Sequence, residues 1–584
     1  MKLSARMKDE GEQGIARAED CSEWIPPKSS SVVEFGCGEG TSGRAFLRIH
    51  PDCRYIGVDV EGQPLRAAKH HLSEAVAGNP ATFDFALHDA AFVDCILYHD
   101  SVLRGMTGGI LRRHMASLSR EGQVMFLLEN PGYFRRMAQA YCAQPSLPCS
   151  GMSLTELFRM AGEAGLHVFH WEAVHLPGDE EEKNRPETQK LLQAFEEWRG
   201  AQEVPMARDV WACRFVVRAS LKPMENRLFL QGLSGDLPAK GHVRMLDAHG
   251  FLRTIQGVSC IMDAKGADMS LGEGFEDRKV IVRQGMHFED AATALRQISA
   301  MRQAGRLIVY DLDDHPMRWG ESYEKSWYLD FIGAHALQTS TPAMAEVLRK
   351  YNPHVKVLHN ELRELPPRRV YKEDGPVTIF FGALNREQDW KDIMPELNRA
   401  IREHGDKIRF KVLSDKAFYE ALQTRNKEFV GNDACYGGRF VPYGVYLDVL
   451  GTADISLLPL RDNEFNRMKS DIKFIESAAY GAVVLASPVV YGETVKDGRT
   501  GFLYRNPKEF RHRLSRLIKE RPRRHRMAEH AYDYVRGERL LSQHYEERLA
   551  FYEELLARKD ELDRELILRL ARLAKRLAQK GEMK

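Results

Sequence analysis

Gly36, Gly38 and Gly40 lie in the run Val32-Val33-Glu34-Phe35-Gly36-Cys37-Gly38-Glu39-Gly40, and Asp59 follows 19 residues after Gly40. Glycines at a turn let backbone N–H groups come close to a ligand, and an acid one strand later can hold two ribose hydroxyls. The spacing G-x-G-x-G is neither the G-x-G-x-x-G of dinucleotide sites nor the G-x-x-x-x-G-K-[ST] of phosphate loops. The loop adds no Lys or Arg for a phosphate, and Glu34 at the strand end suits an ammonium group. His99 and Asp100 form a second chemical pair, because a histidine can take a proton near neutral pH. Ordinary loop polarity is the alternative for both. Asp311 and Asp313 are spaced for a metal, but acids that cap a loop or helix start are the preferred explanation.

Strands and turns must hold these groups. Val32–Phe35 reads as a short strand, Arg44-Ala45-Phe46-Leu47 as a helix start, and Tyr55–Val58 as a strand ending on Asp59. Phe83, Phe85 and Leu87 alternate before His88-Asp89. Val93–His99 and Gly122–Leu128 read as further strands, 187–199 as an amphipathic helix, and Val210–Val217 as a last strand before the linker Leu221-Lys222-Pro223. Beyond it, Arg227–Leu230, Lys279–Arg283 and Arg306–Tyr310 are strand candidates, with a helix over 289–304. A break at Leu365-Pro366-Pro367 precedes a new set: Val377–Gly382, Ile408–Leu413, Ile455–Leu458 and Val483–Ser487. Alternation of this kind argues for parallel sheets, and two consecutive α/β halves imply a ligand cleft between them. The expected domains are 1–222, 223–366, 367–540 and a tail, 541–584.

Bulk properties exclude several classes. Lys and Arg total 84 against 83 Asp and Glu, so no global field selects nucleic acid or a membrane. The nine cysteines are odd in number and form no C-x-x-C, which points away from a disulfide framework or zinc site. No apolar run reaches the roughly 18–20 residues of a membrane span, and Met1–Arg6 lacks a signal-peptide core. The expected location is the cytoplasm, with the inner membrane face as an option for the tail.

The stretch from Val32 to Asp59 resembles the first motif of class I S-adenosylmethionine-dependent methyltransferases, a Rossmann-like α/β family. The resemblance implies that Glu34, Gly36, Cys37, Gly38 and Gly40 line the methionine end of that cofactor. It implies that Asp59 takes the ribose and Asp89 meets the adenine amine, with His99 and Asp100 facing the methyl acceptor. No N-P-P-Y-like acceptor motif accompanies it.

A second set of patches runs in order: Tyr310–Asp314, Ser340–Glu346, Val357–Asn360, Phe381–Arg386, Ala453–Leu460, Lys469–Glu476, Gly481–Ser487 and Asp497–Leu503. Together they resemble the group 1 (family 4-like) retaining glycosyltransferases of GT-B fold, over about 225–535. That resemblance implies a nucleotide-sugar donor, whose diphosphate needs cations and helix N-termini. Arg386, Lys469 and Lys473 are the implied diphosphate contacts, and Glu476, expected to open a helix, the ribose contact. Met468 replaces the first of the two glutamates frequent in that family. Apart from the resemblance, Asp314 and His315 are expected to face the cleft and touch the acceptor, with Asp314 as a catalytic candidate, and no metal is expected.

Residues 544–580 read as one long helix with a stripe at Leu562, Leu566, Leu573 and Leu577. It either packs back on the protein, forms a self-associating coiled coil, or lies on a membrane surface. The combined expectation is a bifunctional transferase acting on a glycan or glycosylated acceptor, with no nucleic acid. Two alternatives stand beside it: a glycosyltransferase whose first domain is a non-catalytic binding or assembly module, and a C-terminal half that is an inactive carbohydrate-binding scaffold.

Overall fold

The computed structural model describes residues 20–130, 133, 152–176, 179–186, 188–190, 193, 211–234, 241–263, 266–371, 374–431 and 441–580. The chain divides into two compact units, Met1–Glu225 and Asn226–Lys584.

The N-terminal unit is built on seven strands: β1 (Ser31–Phe35), β2 (Arg54–Asp59), β3 (Glu74–Ala77), β4 (Val93–His99), β5 (Leu118–Glu129), β6 (His167–Val174) and β7 (Arg214–Ser220). Their order is β3-β2-β1-β4-β5-β7-β6. β7 runs antiparallel between β5 and β6, while the other neighbours are parallel. Val32, Val33 and Phe35 are all buried, as a parallel strand covered on both faces requires. Phe35 stacks on Tyr98 of β4 with ring centroids 5.1 Å apart. The chain order reverses between β1 and β4, so the loops after these two strands open a crevice at the carboxyl edge of the sheet.

The alternating run at Phe83–Leu87 leads into a 3-10 turn, Phe85–His88, capped by the Asp84 carboxylate, which accepts from the Ala86 N–H. Phe83 and Phe85 alternate because both anchor edge-on against Phe35, at 5.3 and 6.2 Å. The last strand begins at Arg214 rather than at residue 210. The helix expected over 187–199 falls largely outside the described residues.

The C-terminal unit holds two six-stranded sheets, all of whose neighbours are parallel. The first contains β8 (Leu228–Ser234), β9 (Val258–Asp263), β10 (Lys279–Gln284), β11 (Arg306–Leu312), β12 (Ala336–Thr339) and β13 (Val355–Val357), in the order β13-β12-β11-β10-β8-β9. The second contains β14 (Val377–Gly382), β15 (Ile408–Leu413), β16 (Lys427–Val430), β17 (Ile455–Leu458), β18 (Val483–Ala486) and β19 (Gly501–Leu503), in the order β16-β15-β14-β17-β18-β19. β9, β12, β13, β16 and β19 were not among the expected strands; all but β12 lie at sheet edges, and β12, β13, β16 and β19 are only three or four residues long.

The tail is not one helix. Leu541–His544, Glu546–Ala557 and Lys559–Lys580 are separate helices, interrupted at Tyr545 and Arg558. No glycine or proline marks the breaks. The path bends because the residues on each side of Arg558 have different anchors on the first sheet and its helices. Before it, the Tyr552 hydroxyl donates to Gln338 at 2.9 Å and Arg227 pairs with Glu553 at 2.8 Å. Beyond it, Leu566 enters the core beside Leu337 and Leu348, and Arg302 pairs with Asp563 at 2.7 Å. Leu562, Leu566 and Leu577 are buried and Leu573 is half-buried, so the leucine stripe is spent on packing back. Among the described residues, no helix is long and apolar enough to cross a membrane.

Candidate functional site

Two sites follow from this scaffold, one in each unit. In the N-terminal unit, β1 ends at Phe35 and the glycine loop turns into the helix Thr41–Ile49. Gly36 and Gly40 have φ of 84° and 78°, a conformation that L side chains rarely adopt. A Cβ on Gly36 would also meet Ser101 and His99, so the loop after β4 lies directly against it. Open space surrounds the Cβ position of Gly38.

The acids here are already engaged. Glu34 is buried; its Oε1 lies 2.7 Å from His99 Nε2, and its Oε2 accepts from the Tyr55 hydroxyl at 3.0 Å. Asp59 accepts the Gly38 N–H at 2.8 Å and the Val60 N–H at 2.7 Å, bracing the loop from the neighbouring strand. Asp100 is buried at the start of the helix Asp100–Leu103. Cys37 is buried, and burial pushes its thiol well above the usual range. Asp89 stands apart: its side chain is 89% exposed and faces Arg54 at 3.6 Å. Cys21, Glu34 and His99 bring three ligand-type atoms within 4.8 Å of one another, a group to which the sequence reading gave no metal role.

In the C-terminal unit, Asp314 follows β11, Arg386 follows β14, and Lys469 precedes the helix Ile472–Ala479. All three lie at carboxyl ends of parallel strands or at the helix entrance, where the two sheets face each other. Lys469 Nζ sits 3.3 Å from Asp314 Oδ1 and 4.6 Å from the centre of the Phe465 ring. Asp314 also holds Arg318. Arg386 donates to Asp389 at 3.2 Å and to Asn466 at 3.1 Å.

The helix starts at Ile472, so Glu476 lies inside it rather than opening it. Lys469 precedes it, and Lys473 and Glu476 are not an exposed i,i+3 pair. Lys473 donates to the Gly382 carbonyl at 2.6 Å, and burial pulls its ammonium below the usual lysine range. Glu476 accepts from the Tyr443 and Tyr446 hydroxyls, each at 2.7 Å. Burial raises its carboxyl, while Lys473 and the two hydroxyls oppose the rise. Asp471 stands at the N-terminal boundary of this helix with no side-chain capping bond; its carboxylate is clamped by Arg539 at 2.6 and 2.9 Å, and Arg539 also donates to the Asn360 carbonyl at 2.9 Å. The helix entrance is thereby tied to the first half.

Asp311 is fully buried between Arg244, at 2.7 and 3.2 Å, and Gln338 at 2.7 Å. That places its carboxylate in the frame of the sheet. His315 is buried beside Phe465 and Glu464.

Five groups escaped the sequence reading: Tyr55, Tyr443, Tyr446, Phe465 and Asn466. Only Tyr443 and Tyr446 carried a signal, two tyrosines spaced i,i+3 in an apolar segment.

No curated protein sequence matches the chain. Among solved structures, it is similar to S. aureus TarM in complex with fondaparinux, alpha-GlcNAc-glycerol and UDP, at 8% identity and TM-score 0.36, over 47% of this chain and 56% of that one. The chain thus spans little more than half of TarM. A glycosyltransferase from Rickettsia africae matches at 12% identity and TM-score 0.39, over 57% of this chain and 99% of that one. Anabaena Alr3699/HepE in complex with UDP and glucose matches at 13% and 0.39, over 55% and 98%. Residues 393–554, a segment holding Lys469, Lys473, Glu476 and both tyrosines, match the family model described as glycosyl transferase-like.

Proposed function

We propose that the C-terminal unit transfers a glycosyl group from a nucleotide-sugar donor to a glycan acceptor, and that the N-terminal unit binds S-adenosylmethionine and methylates an acceptor of the same assembly. The observation that carries the first half is that Lys469, paired with Asp314, and Arg386, paired with Asp389, lie against one Phe465 ring, at 4.6 and 5.8 Å from its centre. When the bond between the sugar and the diphosphate breaks, negative charge grows on the leaving phosphate. Preorganised cations at that point lower the barrier, and removing one such group typically costs 10²–10³-fold or more in rate. Lys469 and Arg386 already have acidic partners that fix their positions, so little reorganisation is needed. Glu476, held by two hydroxyls, is fixed to accept from a donor ribose.

The N-terminal site suits a different ligand. Glu34, Asp59 and the glycine loop present acceptors and backbone N–H groups without a cation, which fits the ammonium group, sulfonium and ribose of S-adenosylmethionine. That cofactor, when bound, supplies an electrophilic methyl group. His99, held by Glu34, is placed to take a proton from an acceptor.

Thermal-shift screening against S-adenosylmethionine and a panel of UDP-, GDP- and TDP-sugars tests both halves, since a ligand of the native state stabilises it by mass action. Two independent shifts are expected, one lost in Asp59→Ala and the other in Lys469→Ala. Absence of any nucleotide-sugar shift sinks the donor reading. A cofactor shift with no methyl transfer to any glycan turns the N-terminal unit into a binding module.

A further inference from the structure

A cavity of about 830 Å³ opens between the tail helix Lys559–Lys580 and the first sheet of the C-terminal unit. The lining residues 327–332 precede β12, and 349–353 precede β13. The cavity therefore sits at the amino ends of these strands, on the opposite edge from Asp314 and Lys469. It is a different place from the proposed donor cleft.

Its walls combine two chemistries. Trp327, Tyr328 and Tyr351 supply aromatic surface, and the Tyr328 and Tyr351 rings stack at 5.0 Å and 16°. Trp327 and Tyr328 are consecutive non-glycine residues in the left-handed region, with φ of 53° and 58°. Such conformations persist only where the surrounding structure imposes them, and they gather at ligand clamps. Lys350, Arg572 and Arg576 add cations, all exposed and without a hydrogen-bond or ion-pair partner among the described residues. The other charges of the wall are committed: Arg349 to Glu346, Arg569 to the carbonyls of Ile332 and Ala334, and Glu565 to His354 at 2.6 Å. The free charge of the cavity is thus positive.

We propose that this cavity is an accessory site for a short segment of anionic carbohydrate, carrying phosphodiester or carboxylate groups. Aromatic faces stack on sugar rings, and unpaired cations in a concave wall pair with the anions spaced along such a chain. A bilayer surface would instead call for apolar side chains projecting from a convex face. Here the aromatic groups line a recess, and among the apolar lining residues Leu577 is buried and Ile332 and Leu573 are half-buried, leaving Leu568 and Pro353 exposed. The site is independent of the donor reading.

Isothermal titration of the full chain with hexagalacturonate and with a six-unit poly(glycerol phosphate) tests it, with maltohexaose as the neutral control. At least one anionic hexamer should bind one to one, more weakly as salt rises. Arg572→Gln/Arg576→Gln should weaken that binding at least tenfold, and Lys350→Gln should weaken it less, with melting temperature and UDP binding unchanged. Unchanged UDP binding separates a failure here from a failure of the donor cleft. The proposal is overturned if neither anionic hexamer binds, if maltohexaose binds as tightly, or if the double variant binds like wild type. It is also overturned if vesicles with 30% phosphatidylglycerol capture the protein through these arginines while both hexamers fail.

Discussion

The two sites use buried acids in opposite ways. In the N-terminal unit, Glu34 and Asp59 lie at the ends of the two strands that flank the glycine loop, and neutral groups or a histidine satisfy them. In the C-terminal cleft, Asp314 and Asp389 serve cations: each holds a Lys or Arg in place at 3.2–3.3 Å. The first arrangement leaves a surface of acceptors that favours a positive ligand. The second leaves cations whose present partners a diphosphate can join or displace. On the proposed reading, two α/β sheets reach opposite ligand signs through what the acids are bonded to, not through how many acids there are.

The comparison breaks first at Lys469. Lys469→Ala should lower glycosyl transfer by about 10³-fold, or about 4 kcal/mol of barrier, with S-adenosylmethionine affinity untouched. Steady-state rates with the best donor of the panel check it. A loss below tenfold would mean that Lys469 does no more than pair with Asp314.

Acid should strike the N-terminal unit through a group beneath its site. His114 lies between the Tyr98 hydroxyl at 2.6 Å and the Pro80 carbonyl at 2.8 Å, and burial holds its imidazole down at about 4. The folded value lies below the unfolded one, so the unfolded chain takes up the proton first. Stability is therefore complete above about pH 6.5, falls as the pH drops towards 4, and loses no more below that, by at most about 3 kcal/mol. Chemical denaturation of wild type and His114→Gln across pH 4–7 reads this out. The variant should show the shallower pH slope, and equal slopes would remove His114 from the account.

Asp59 comes next. Asp59→Ala removes a ribose acceptor and also the brace on the Gly38 N–H, so S-adenosylmethionine affinity should fall about 10–100-fold, or roughly 1.4–2.8 kcal/mol. Asp59→Asn keeps a carbonyl that can brace the loop and should lose less. Equal losses would assign the whole effect to charge.

How much of this could be read from residues alone depended on the range of the interaction. The glycine loop was readable because a buried apolar strand, a turn that needs positive φ and a helix start are all local. The turn before Asp89 was not readable, because a period of two over three residues does not distinguish extended chain from two phenylalanine anchors on a 3-10 turn. The helix that holds Glu476 begins at Ile472, four residues earlier than expected, because its entrance is fixed by Arg539 clamping Asp471 from 68 residues away. The hydroxyls on Glu476 come from 30 and 33 residues upstream, and no spacing rule reaches that far. The tail's three anchors lie 214–326 residues from their partners, which is why its bends carried no sequence mark.

The finest distinction between the sites is one hydroxyl. Tyr446→Phe and Tyr55→Phe each take one donor from a buried carboxylate and leave the ring. A buried acceptor that loses its partner costs about 1–3 kcal/mol. At Glu476 the loss favours the protonated acid, the direction in which burial already pushes it. A protonated Glu476 holds a donor ribose less well, so the donor KM should rise about tenfold in Tyr446→Phe with kcat nearly unchanged. At Glu34 the partner that remains is the His99 ring, 2.7 Å away. Tyr55→Phe should therefore leave donor kinetics alone and weaken S-adenosylmethionine binding only about threefold, a few tenths to 1 kcal/mol. If the two substitutions instead cost their ligands equally, the histidine gives Glu34 no advantage over the tyrosine pair on Glu476.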